Sequence, residues 1–172
     1  MNLINRVIFV AQSGVCREQM AKEIMKEYLM DDSVEVLSRG LVVQFPEPIN
    51  QKAEAVLISN GLTTEGLVAE QLEDEDITDS TVIFTMETIH RDKILEQYEN
   101  VVPENVFVLS EFVGDELEIL DPYGGNLQSY GLCYESLKST IKRLIKKWDE
   151  FVSERELSIV SESEDGEDGE RE

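Results

Sequence analysis

Seven consecutive residues, Ala11-Gln12-Ser13-Gly14-Val15-Cys16-Arg17, place a hydroxyl, a glycine, a thiol and a guanidinium between an apolar run and a helical one. Val7 to Val10 is β-branched and aromatic and reads as a buried strand, whereas Glu18 to Met30 has helical spacing. The residues between them form a tight strand-to-helix loop, which is an anion cradle. Its backbone N–H groups and the positive end of the helix macrodipole converge on one point, and Gly14 can take the positive φ that turns those amides inward. Arg17, at the helix entrance, adds a planar fork suited to bidentate contact with a phosphate. Candidate phosphate-binding residues are therefore Gln12, Ser13, Gly14, Val15, Cys16 and Arg17.

This stretch resembles the signature of the low-molecular-weight protein tyrosine phosphatases and the related thioredoxin-coupled arsenate reductases, an apolar strand followed by V-C-x-G-N-x-C-R-S-P-M-A. The strand, the second cysteine (Cys16), Arg17 and the Met20-Ala21 pair stand in register, but the nucleophilic cysteine is replaced by Ala11, six positions before Arg17. A methyl group has no lone pair with which to attack phosphorus. The family's Gly-Asn pair appears as Ser13-Gly14, and its Ser-Pro pair after the arginine as Glu18-Gln19. The family serine helps stabilise the thiolate, and a carboxylate in its place opposes both a thiolate and a phosphate dianion. Glu18 reads equally well as an acidic first-turn residue facing solvent. A second loop, Asp121-Pro122-Tyr123-Gly124-Gly125, follows the fourth expected strand. The resemblance implies that Asp121 holds the place of the general acid that protonates the leaving phenolate. On its own Asp121-Pro122-Tyr123-Gly124 is also good turn chemistry.

The elements that position these loops alternate. After the first helix, Val34 to Ser38 reads as a second strand, running parallel to the first and ended by Arg39-Gly40; Ser38-Arg39-Gly40 resembles the Ser-Ala-Gly turn of the family in its outer residues. Pro46 and Pro48 mark a loop, Asn50 is an N-cap, and a helix runs to Asn60 before Gly61. The acidic stretch Glu70 to Asp79 reads as a surface segment with a short helix. Thr81 to Met86 is apolar on both faces, as a central parallel strand should be. Glu87 ends it, a helix covers Thr88 to Tyr98, and Asn105 to Leu109 is the fourth strand. Tyr130, Tyr134, Leu137, Ile141, Leu144, Trp148 and Phe151 form the core stripe of a long closing helix. The expected fold is α/β, a three-layer α/β/α arrangement around a central four-stranded parallel sheet, as in the phosphatase family. Residues 1–152 form the domain and 153–172 an acidic tail, disordered beyond Val160, where only Ser, Glu, Asp, Gly and Arg remain.

Charge narrows the partners. Fifteen basic against 37 acidic residues give a net charge of −22, with seven acids and one arginine in Ser161 to Glu172. This disfavours nucleic acid and anionic membrane surfaces. No apolar run approaches the roughly 18 residues of a membrane span, and no basic-then-apolar leader is visible. Two cysteines without paired spacing and a lone His90, read as a surface or packing residue, leave no disulfide framework, metal site or cofactor expected. The expected setting is cytoplasmic. The expected role is that of a pseudophosphatase holding phosphate or a phosphorylated partner in the loop. The alternatives are residual phosphatase or arsenate-reductase chemistry with another nucleophile, and an interaction module whose acidic body and tail bind a basic protein while the loop is an inert relic.

Overall fold

The structure, a computed structural model, describes residues 4–168. Strands β1 (Arg6–Ala11), β2 (Glu35–Gly40), β3 (Thr81–Thr85) and β4 (Val106–Val108) form one parallel sheet in the order β2-β1-β3-β4. The strand that carries the loop is thus central, with β2 and β3 on its two sides. Both its faces are buried because its alternate residues feed two cores. Val7, Phe9 and Ala11 join a large cluster with Met20, Ile24, Leu57, Phe84, Leu137 and Trp148. Ile8 and Val10 join a smaller one with Leu72, Ile83, Ile94 and Val106. Helices α1 (Arg17–Tyr28), α2 (Gln51–Ser59) and α5 (Leu127–Asp168) cover the first face, and α3 (Thr88–Gln97) covers the second. This is the expected three-layer α/β/α sandwich around four parallel strands.

Local chemistry accounts for most boundaries. Asn50 caps α2, its side-chain oxygen accepting from the Lys52 and Ala53 amides. The stripe Tyr130, Tyr134, Leu137, Ile141, Leu144 and Trp148 is fully inside, and Trp148 closes an aromatic group with Phe84, Phe107, Phe112 and Phe151. A four-residue helix, α4 (Leu109–Phe112), follows β4 directly.

The acidic stretch carries the expected short helix as a 3₁₀ turn, Asp74–Asp76, held by reciprocal bonds between Glu73 and Asp76. Two elements run beyond their expected ends. Strand β2 continues past Ser38 through Arg39 to Gly40, which pairs with Ala11. The closing helix runs past the expected domain boundary at residues 152 and 153, through the segment beyond Val160, as far as Asp168. No proline follows Pro122, and no glycine lies between Gly131 and Gly166, so nothing in the sequence halts it. The end of the expected tail, residues 169–172, lies outside the described residues. Among the described residues no helix is long and apolar enough to cross a membrane.

Candidate functional site

The loop after β1 is shaped by its neighbours. Gly14 takes φ +79°, a conformation that strains any side chain, and Gly40 leaves no room for one: a Cβ there would lie 2.7 Å from the Gly14 nitrogen. The Asn50 amide donates to Val15 O (2.9 Å), and the Val42 amide to Gln12 O (2.9 Å). Gln19, buried where the family has proline, donates through Nε2 to Gly14 O (3.1 Å) and Val68 O (2.8 Å). Ala11 is buried at the end of β1, Gln12 and Ser13 are exposed, Gly14, Cys16 and Arg17 are buried, and Val15 is half-buried.

Glu18 decides what the loop can hold. Its side chain does not face solvent; the residue is 1 % exposed, and Oε1 accepts the Cys16 amide at 2.7 Å. An amide of the cradle is therefore satisfied by the chain's own carboxyl. Burial pushes the Glu18 pKa from the ordinary 4.5 up to about 7, against the opposing pull of the Cys16 amide, its own amide and Arg17. A carboxyl stabilised by these donors yet desolvated shares its proton near neutrality.

Arg17 is held as firmly. It is 3 % exposed, donating from one terminal nitrogen to Ile119 O (2.6 Å) and from the other to Glu87 Oε2 (2.7 Å), with Asp121 Oδ2 at 3.7 Å. Glu87 is fixed in turn by His90, which is buried rather than at the surface. The His90 Nδ1 accepts the Glu87 amide (3.2 Å), and Nε2 lies 3.5 Å from Glu87 Oε2. Burial lowers the His90 pKa, outweighing Glu87, so the ring is neutral with its proton facing that carboxylate.

Asp121 stands at the mouth, half-exposed. Its Oδ1 accepts the Tyr123 amide (3.1 Å) while Oδ2 faces Arg17. Both readings of the Asp-Pro-Tyr loop meet here, a turn residue that also stands beside the arginine. Neither thiol is prepared for attack. Burial, reinforced by Glu18, pushes the Cys16 pKa far up, and burial pushes Cys133 up to about 11. Among the described residues no cluster of metal-binding side chains occurs.

The loop, Arg17 and Asp121 are thus brought together from elements more than a hundred residues apart in sequence. Glu87 and Glu118 join the site from outside the two expected loops. Glu87 follows the central strand β3, where side chains of parallel sheets collect around a site, and that position was the available signal. Glu118 accepts the Thr88 amide (2.8 Å) and hydroxyl, a contact across 30 residues that no local pattern announces.

Residues 6–154 match the family described as low molecular weight phosphotyrosine protein phosphatase. The low molecular weight protein-tyrosine-phosphatase PtpB of Staphylococcus haemolyticus is 31% identical over 139 residues, covering 81% of this chain and 96% of that protein. Among solved structures, a low molecular weight protein tyrosine phosphatase from T. tengcongensis aligns with TM-score 0.77 at 30% identity, over 83% of this chain and 99% of that one. The YwlE arginine phosphatase from Geobacillus stearothermophilus aligns with TM-score 0.76 at 29% identity, over 87% and 96%. The chain belongs to the low-molecular-weight phosphotyrosine protein phosphatase family.

Proposed function

We propose that this chain is a catalytically silent member of its family, a cytoplasmic binding protein whose anion cradle is closed by its own Glu18. The carrying observation is the pair of substitutions at the loop: Ala11 where the nucleophile belongs, and Glu18 bonded to the Cys16 amide at 2.7 Å. Removing the nucleophile from a covalent hydrolase such as subtilisin costs about six orders of magnitude in turnover. Arg17 and Asp121 would then hold vestigial places, and the buried, protonated Cys16 offers no substitute nucleophile.

The cradle disfavours phosphate in two ways: Glu18 Oε1 already occupies the Cys16 amide, and above its pKa of about 7 the ionised carboxylate repels a phosphate dianion. Protonating Glu18 to admit the anion costs about 1.4 kcal/mol per pH unit above 7, so the electrostatic part of the penalty grows with pH. Arg17 does not offset this, because its fork already meets Glu87 and Ile119 O.

A second reading keeps phosphate or a phosphorylated partner as the ligand. It is favoured by the retained loop geometry, with Gly14 at positive φ and the helix start behind it. Binding would then displace Glu18. Calorimetry with inorganic phosphate at pH 7.5 separates the two. Silent closure predicts no binding to wild type at millimolar phosphate and measurable binding to Glu18→Ser. Tight binding to wild type that Glu18→Ser does not improve would establish the second reading instead.

A further inference from the structure

Beside the old site lies a groove of about 1490 Å³ between residues 114–123 and the first turns of α5. Its outer wall is tied down almost residue by residue. Asp115 takes a two-pronged bond from Arg143 (2.5 and 2.6 Å), Glu118 accepts from Thr88, Ile119 O accepts from Arg17, and the Ile119 side chain is in the core. Yet this anchored segment turns Leu117 (82 % exposed) and Leu120 (84 %) outward, facing Leu132 of α5 (66 %) across the groove. A single exposed leucine is ordinary; three around one groove, two of them on a segment held this rigidly, are a presented surface. Anchoring also removes part of the ordering cost that binding would otherwise incur.

The rim selects the occupant. Five carboxylates, those of Glu111, Asp115, Glu116, Glu118 and Asp121, line the groove against the one guanidinium of Arg143, which Asp115 already neutralises. A second copy of this chain, at net charge −22, is repelled, as is its own C-terminal segment with seven acids, and so is nucleic acid. We infer that the groove docks a basic amphipathic segment of another polypeptide, with apolar side chains on Leu117, Leu120 and Leu132 and lysine or arginine heads at Glu111, Glu116 and Glu118. The α5 wall from Ser129 to Arg143 is roughly 20 Å long at 1.5 Å per residue, room for about four helical turns of such a partner. Long basic side chains suit the site doubly, since their stems cover leucine while their heads reach the carboxylates.

This inference rests on the binding role proposed above and names its partner class. The test uses the full chain and a fluorescent amphipathic lysine–leucine peptide, followed by anisotropy at low and high salt, beside a glutamate–leucine peptide of the same pattern. Expected is binding of the basic peptide only, weakened about tenfold by Leu117→Ser with Leu120→Ser and by Glu116→Lys, but within about twofold of wild type in Asp32→Lys, the same charge change on a distant surface. Equal losses in Glu116→Lys and Asp32→Lys, or wild-type binding by the double leucine variant, would overturn it. Amide shift perturbation of wild type must also fall on residues 111–121 and 129–143; perturbation elsewhere is likewise contrary. Glu18→Ser leaves the peptide affinity unchanged on this account, so the phosphate and peptide experiments fail separately.

Discussion

The Glu18 carboxyl sits 2.7 Å from the Cys16 amide nitrogen, two residues back along its own chain, in a place shielded from water. An acidic residue at that point converts an anion-binding loop into one that supplies its own anion. On the proposed reading, Ala11 removes the nucleophile and Glu18 occupies an amide of the cradle, two substitutions with one consequence.

Burial of Glu18 makes stability depend on pH. Its folded pKa of about 7 exceeds the ordinary 4.5, so between those values the folded chain holds a proton that the unfolded chain releases. Stability is therefore full below about pH 4.5, falls as pH rises through the window and levels off above 7. The contribution is roughly 3 kcal/mol, from about 1.4 kcal/mol per unit. His90, with a lowered pKa, acts in the opposite direction, so the difference from Glu18→Gln isolates the carboxyl. Urea unfolding at pH 5 and pH 7.5 should show wild type losing more stability than Glu18→Gln. Parallel losses would refute the buried titration.

The Arg17 guanidinium joins the loop to two distant segments, through Ile119 O and Glu87. Arg17→Ala removes its bonds to Ile119 O and Glu87 and leaves a buried gap, which predicts a loss of about 2–4 kcal/mol in urea unfolding. Arg17→Lys should recover less than half, because one ammonium cannot serve the two acceptors as the fork does. A neutral outcome for Arg17→Ala would mean that the residue is free to meet a ligand.

The two glycines of β2 and α5 give opposite expectations. A Cβ on Gly40 would meet Val43 Cγ2 at 2.6 Å and the Ser13 carbonyl carbon at 2.7 Å, so Gly40→Ala should cost about 2 kcal/mol and displace the loop. Gly131 lies inside α5 with open space around its Cβ direction, and Gly131→Ala should stabilise by up to about 1 kcal/mol. Thermal unfolding of both variants checks the pair.

Much of this was visible in the sequence. The strand-to-helix loop, the Asn50 cap and the aromatic stripe of α5 follow from residue type and spacing, because local physics governs them. The loop's replaced cysteine was equally plain at Ala11. What Glu18 does was not, since an acid in a first helical turn faces solvent or the interior according to what packs over it, and here the core does. The same holds for His90, buried with its ring against Glu87, and for Arg17, whose carbonyl partner lies 102 residues away. The length of α5 is hard to read because its last turns are polar, as a disordered tail would be, while no proline or glycine breaks the helix between Gly131 and Gly166.

Aryl-phosphate turnover in wild type, Ala11→Cys and Ala11→Cys with Glu18→Ser tests closure of the loop by Glu18 most directly. A carboxylate beside a new cysteine would oppose its thiolate and the incoming phosphate alike, so restoring the nucleophile alone should not suffice. Wild type and the single variant should be silent or nearly so, and the double variant should turn over substrate at least about a hundredfold faster than Ala11→Cys, a difference of about 2.7 kcal/mol in barrier. Turnover by wild type, or equal activity in the single and double variants, would contradict a cradle closed by Glu18.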